Sequence, residues 1–390
     1  MNPAVKERPL RVVYLGHSAA LSGAELGLVE LIGALHDVEA HVLLAEDGPL
    51  VERLRARGAA VDVLALGEQT RRLRRASVRP GAPALGPAAL ATVAYAWRLG
   101  RRLRSLRPDL VHANTLKAFV YGAIAARLAR TPLVWHVHDR IADDYLTPAA
   151  VRFLRAAAPR AACGVIANSD ATLATLARPR LPAAVVHEPV AASAVAEPTP
   201  SRDRPFTAAM VGRLAPWKGQ DVFLRAFARA FPDGPERAII VGSALFGEHA
   251  YAASLERLVG RLGLAGRVEL RGFRDDVAAE LAAADALVHA SVIAEPFGRV
   301  VIEGMAAGLP VVAAGAGGPA EVIADGVDGL LYPPGDADAL AAAIARLAGD
   351  PALRGRLAAA GRLRARSFSP EAAAAQTSLF YRRVLEERAA

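Results

Sequence analysis

Short apolar runs of strand length recur along the whole of this 390-residue chain, each separated from the next by a stretch of helical composition. In the first half they fall at residues 12–15, 40–44, 110–112, 133–137 and 164–167; in the second, at 206–211, 238–241, 267–270, 286–289 and 310–313. A strand followed by a helix cannot turn back on itself as a hairpin, so successive strands pair in parallel through crossovers. Apolar residues fill these runs continuously instead of alternating, as a sheet covered on both faces requires. The expected fold class is therefore α/β, with two Rossmann-like parallel-sheet domains.

The two series are divided by residues 189–205, whose Glu197-Pro198-Thr199-Pro200-Ser201 core is polar and proline-rich, a linker by composition. The sequence thus divides into a first domain at 1–188, a linker at 189–205, a second domain at 206–368 and a terminal helix at 369–390. That helix begins at Ser369-Pro370-Glu371, where an N-cap residue, a proline in the first turn and an acid follow one another. Cys163 is the single cysteine, which excludes an internal disulfide and a cysteine-based metal cluster. No apolar run is long enough to cross a bilayer. Lys6-Glu7-Arg8 leads straight into the first strand without a signal-peptide core, so a cytoplasmic protein is expected.

The net charge of +8 is concentrated. Arginines cluster between Arg53 and Arg107, notably as Arg71-Arg72-Leu73-Arg74-Arg75 and Arg101-Arg102-Leu103-Arg104, opposed there only by Asp62 and Glu68. Two readings stand: a solvated basic face, or a surface for an anionic membrane or an acidic acceptor, which would place the chain peripherally on the inner membrane face. Nucleic acid is set aside, because aromatic residues make up only 5% and no recognised binding motif is present.

The densest chemistry lies at Glu295-Pro296-Phe297-Gly298-Arg299-Val300-Val301-Ile302-Glu303. A loop carboxylate, a Phe-Gly turn and a carboxylate inside the next helix suit a ligand with both hydroxyls and phosphate. Carboxylates accept from hydroxyls, and helix-start amides donate to phosphate oxygens. Gly308-Leu309-Pro310-Val311-Val312 and Gly317-Gly318-Pro319-Ala320-Glu321 follow. Together these segments resemble the E-x7-E signature of retaining family 4 glycosyltransferases. Val211-Gly212-Arg213-Leu214 with Lys218-Gly219 is similar to that family's G-R-L…K-G element, Ser22-Gly23-Ala24-Glu25 to its G-G-A-E loop, and Val137-His138-Asp139 to its strand-end His-Asp.

The resemblance implies a GT-B architecture, with the two domains facing across a cleft and the terminal helix crossing back to the first. It implies a nucleotide-diphosphate sugar as co-substrate and a hydroxyl acceptor. Arg213 and Lys218 would bind the diphosphate in place of a metal, so no cofactor or metal is expected. Glu295 would touch the transferred hexose, Glu303 the ribose hydroxyls, and Phe297-Gly298 the phosphates. His138 would face the sugar, and Gly23 would admit a phosphate or the acceptor. Gly242-Ser243 follows the strand at 238–241 and suits the base side of the nucleotide. His112, Asn114, Asn168 and Ser169 fall at other strand ends and are candidates for the acceptor side.

Asp336-Ala337-Asp338 has the spacing of a metal-holding pair but is better read as a helix N-cap and first-turn acid. His136 is expected in the core. Two departures stand out. Ser22 replaces the first glycine of the loop, and His187-Glu188-Pro189-Val190-Ala191 stands where the family carries an Asn-Gly-Val-Asp run, so acceptor identity does not transfer. Alternatives are another GT-B enzyme, such as a nucleotide-sugar epimerase, or a silent partner subunit. A dehydrogenase is disfavoured, since no G-x-G-x-x-G follows the first strand.

Overall fold

The computed structural model describes residues 8–67, 85–177, 181–191, 204–244 and 247–389; Arg71–Arg75 and most of the 189–205 linker lie outside them. The chain falls into two units, Met1–Pro189 with Pro370–Ala390, and Val190–Ser369.

In the first unit, β1 (Leu10–Gly16), β2 (Val38–Leu44), β3 (Ala60–Val63), β4 (Leu110–Ala113), β5 (Leu133–Val137), β6 (Gly164–Ala167) and β7 (Ala183–Val185) form one parallel sheet in the order β3-β2-β1-β4-β5-β6-β7. Alternate residues of each strand serve opposite faces. Val13, Leu15, Val111, Trp135 and Val165 pack under the helices Leu85–Leu106, Leu116–Ala129 and Pro148–Ala161. Val12, Tyr14, Leu110, Val134 and Ile166 pack on the other side, against Gly23–Ala34, Pro49–Ala56 and Pro370–Ala389. The last helix is tied down by Tyr381, whose hydroxyl lies 2.6 Å from His112 Nδ1, and by Arg382, which donates to Asp37 at 3.0 Å.

The second unit repeats the plan. β8 (Thr207–Val211), β9 (Arg237–Val241), β10 (Val268–Gly272), β11 (Ala286–His289), β12 (Val311–Ala314) and β13 (Leu330–Tyr332) form a parallel sheet in the order β10-β9-β8-β11-β12-β13. Ala208, Met210, Ile240 and Val288 pack under Gln220–Ala230, His249–Arg261 and Ala337–Gly349. Ala209, Ile239, Leu287 and Val311 pack on the helix Arg299–Ala306.

Strand order reverses between β1 and β4, and again between β8 and β11. Neighbouring connections there leave towards opposite faces of the sheet and open a crevice at the strands' carboxyl ends, where ligands of such sheets bind. The segments singled out above follow strands at or beside these points: Ser22-Gly23 after β1, Asn114 after β4, His138 after β5, Arg213 and Lys218 after β8, and Glu295 after β11.

Candidate active site

In the second unit the structure joins two residues that the sequence offered separately. Lys218 ends the short 3₁₀ turn Pro216–Lys218. Its Nζ donates to Glu295 Oε1 at 2.5 Å. The other carboxylate oxygen accepts from Ser291 Oγ at 2.5 Å and from His289 Nε2 at 2.7 Å, so Nε2 carries the imidazole proton. Burial alone would raise the Glu295 carboxyl, but the Lys218 ammonium and His289 outweigh it and hold the group well below its ordinary value. Glu295 is therefore a buried, ionised and fully oriented carboxylate.

The loop holding it is fixed through close backbone approach. Gly318 N donates to Glu295 O at 2.9 Å, and a Cβ on Gly317, whose φ is +70°, would stand 2.1 Å from that same oxygen. Only glycine fits there. Gly242 has the same kind of role at the end of β9: a Cβ would fall 2.0 Å from Gly212 O, so two strand-end loops run in backbone contact. Gly242 thereby sets the path of Arg213, the next residue after Gly212.

Arg213 Nε lies 3.5 Å from Glu248, and both Arg213 and Lys218 stack on the half-buried Trp217 ring, at 5.6 and 4.6 Å from its centroid. Two cations are thus held on one aromatic platform. Glu303 lies within the helix Arg299–Ala306, which starts at Gly298, and accepts from Arg299 Nε at 2.8 Å with 26% of its side chain exposed. Phe297 stands just before that helix's N-cap. Its ring is 2% exposed and packs against Phe368, so it is a core residue, and only its backbone could serve a ligand. Asp336 caps the helix Ala337–Gly349, accepting from the amides of Asp338 and Ala339, while Asp338 lies 3.2 Å from Arg229.

The first unit has a separate polar cluster. His138 Nδ1 donates to Glu188 Oε1 at 3.1 Å, which fixes the ring, and Nε2 lies 3.2 Å from the Asn114 amide. Asn168 donates to the same Glu188 oxygen at 2.9 Å. Glu25, also buried, accepts from Ser22, and burial pushes its carboxyl above the ordinary value. A Cβ on Gly23 would be 3.8 Å from Glu188 Oε2. Gly23 thus sits among carboxylates, a setting that suits the hydroxyls of an acceptor better than a phosphate, the two ligands expected there. His112 and His136 are core groups; burial lowers His112 to about 3 and His136 well below the usual range, so both are neutral. Of the His112–Asn114 segment only Asn114 reaches the cluster, and Ser169 caps the helix Asp170–Ala174.

Sequence reasoning missed His289, Ser291 and Glu188 as site residues. His289 closes β11 and His138 stands one residue past β5, so a histidine at a strand's carboxyl end was the available signal. Glu188 was visible only as a departure from the expected run.

Residues 49–193 match the family described as Glycosyltransferase Family 4, and residues 194–364 match Glycosyl transferases group 1. The lipopolysaccharide core biosynthesis glycosyltransferase LpsD of Rhizobium meliloti is 32% identical over 279 residues, covering 68% of this chain and 72% of that protein. An exopolysaccharide phosphotransferase of Streptomyces coelicolor is 42% identical over 148 residues, but the chain spans only 15% of its length. Among solved structures, Anabaena HepE in complex with UDP and glucose superposes with a TM-score of 0.81 at 31% identity, covering 98% of this chain and 100% of that one. On these matches, and on the two parallel sheets that carry them, the chain belongs to the family 4 glycosyltransferases of GT-B fold.

Proposed function

We propose that the chain is a retaining, metal-independent transferase that moves a hexose from a nucleotide-diphosphate sugar to a hydroxyl acceptor. The observation that carries this reading is the Lys218–Glu295 pair: a fixed ammonium 2.5 Å from a buried, ionised carboxylate at neighbouring strand ends. Departure of a nucleoside diphosphate leaves negative charge on the β-phosphate and positive charge on the sugar's anomeric carbon. Lys218 has two further N–H donors for the first, and Arg213, more loosely held by Glu248, adds a planar pair. Glu295 is matched to the second. Side-chain cations then do the work that a divalent ion does elsewhere. The capping role of Asp336 supports this, since its carboxylate is already committed to backbone amides.

Transfer with retention proceeds on one face of the sugar. The bond from the anomeric carbon to the β-phosphate oxygen breaks with its electron pair going to that oxygen. The acceptor oxygen bonds to the same face, and its proton passes to the departing phosphate oxygen. Glu303 and the helix-start backbone at Phe297-Gly298 bind ribose hydroxyls and phosphate, and Gly242 borders the base. In the first unit His138, held by Glu188, donates to or accepts from hydroxyls beside Gly23. HepE is bound to UDP and glucose, so UDP-glucose is the first donor to try.

The test is a panel of nucleotide sugars and free nucleotides read by thermal shift and by nucleotide release. One nucleotide at about 100 times its Kd should add about 2.7 kcal/mol of stability. If no nucleotide shifts the melting temperature or is released, the chain is a silent subunit and the proposal fails.

A further inference from the structure

The helices Leu85–Leu106, Leu116–Ala129 and Pro148–Ala161 cover one face of the first unit's sheet, each packed on the next. They contain no aspartate or glutamate at all, while carrying four, two and three arginine or lysine residues respectively. The helices on the opposite face, Gly23–Ala34, Pro49–Ala56 and Pro370–Ala389, carry six acids against five bases, so the asymmetry belongs to one layer. Composition alone gives alanine and arginine everywhere in this chain; it does not remove every acid from one layer and leave them in the other.

The same layer exposes large apolar side chains. Leu90, Val93 and Trp97, on one stripe of Leu85–Leu106, are 73%, 52% and 51% exposed, and Phe153 on Pro148–Ala161 is 57% exposed. The Arg101 guanidinium lies 4.9 Å from the Trp97 ring centroid. Arg98, Arg104 and Arg152 are also exposed on these helices, whereas Arg102 is neutralised by Asp62 at 2.6 Å. An exposed tryptophan beside arginines is amphipathic in the way an interface between headgroups and acyl chains requires, with the ring at the boundary and the cations among the phosphates. A solvated basic face needs no exposed Leu, Val, Trp and Phe. A nucleic-acid surface would place aromatic rings among phosphate-binding cations but has no use for the aliphatic stripe.

We infer that this three-helix layer docks on an anionic phospholipid bilayer, Trp97 and Leu90 entering the headgroup region and the arginines facing lipid phosphates. The inference is independent of the proposed transfer reaction. No helix among the described residues is long and apolar enough to cross a membrane, so the contact is peripheral.

The experiment is sedimentation of the full chain with vesicles of phosphatidylcholine alone, or of phosphatidylcholine mixed with an equal part of phosphatidylglycerol. Binding is expected only to the anionic vesicles, with a blue shift of tryptophan emission that Trp97→Phe removes. Each arginine at an anionic surface contributes about fivefold, so Arg98→Glu with Arg101→Glu should lower the partition coefficient by at least about 30-fold. Leu90→Asn should weaken it without changing its salt dependence. Circular dichroism and melting of each variant, all changed at exposed positions, verify the fold. Equal partition into both vesicle types, or binding that survives the double arginine substitution, would overturn the inference. Loss on arginine substitution combined with no effect of Leu90→Asn and no Trp97 shift would also overturn it, reducing the face to a general polyanion surface.

Discussion

Replacing Glu295 by glutamine keeps the shape of the side chain and removes its charge. Lys218 and Glu295 have only 15% and 10% of their side chains exposed, so the charge removed is one half of a largely buried pair. Breaking such a pair by deleting one partner costs about 3–5 kcal/mol. The amide can still accept from Ser291, and Lys218 retains some contact with water, so about 2–3 kcal/mol is expected here. For a unit of this size that corresponds to a drop of about 4–12 °C in its melting transition, read by scanning calorimetry. The pH dependence sharpens the test. The folded carboxyl lies well below its ordinary value of 4.5, so the pair's stabilisation is complete above 4.5 and is lost as pH falls below it. The gap between wild type and Glu295→Gln should therefore be constant from about pH 8 to pH 5 and should close below about pH 4. Equal stability at neutral pH, or a gap unchanged into acid, would refute the claim that Glu295 is an ionised partner of Lys218.

Three further outcomes follow from the geometry. On the proposed function, Glu303→Ala removes an acceptor for ribose hydroxyls, which are the same in ground and transition states. It should weaken nucleotide affinity by about 10- to 150-fold in calorimetric titration, leaving kcat at saturation close to wild type. Gly317→Ala forces a Cβ against the Glu295 carbonyl at positive φ, and should lower the melting temperature and abolish turnover together. Glu188→Ala frees the His138 ring and should lower kcat/KM for the acceptor, while titration with free nucleotide stays unchanged.

The central strands were legible because they are buried on both faces and hence uniformly apolar: β5, β6 and β11 run over the residues their composition marks. The strands β3, β7 and β13, with four, three and three residues, left no such mark. They lie at sheet edges, where one neighbour suffices and Ala-Val-Asp-Val or Ala-Ala-Val is enough to pair. In the site, positions set by local chain geometry were readable. Gly298 starts its helix with φ of +88°, and Asp336 caps the helix Ala337–Gly349. Pairings across the fold were not. Lys218 and Glu295 are 77 residues apart, and Glu188 reaches His138 across 50, distances over which sequence spacing says nothing about contact. At Phe297 the expectation concerned the turn's backbone, and the motif gave no sign that the side chain packs in the core.

On the proposed function, side-chain cations on the second unit, Lys218 above all, take the place of a metal at the donor diphosphate. Sugar transfer or donor hydrolysis, measured with the responsive nucleotide sugar after exhaustive EDTA treatment, tests it most directly. Full turnover is expected in EDTA, with no gain on adding magnesium or manganese and a fall of about two or more orders of magnitude in Lys218→Met under the same conditions, because a group neutralising transition-state charge is lost. Activity abolished by EDTA and restored by a divalent cation, with Lys218→Met close to wild type, would contradict it.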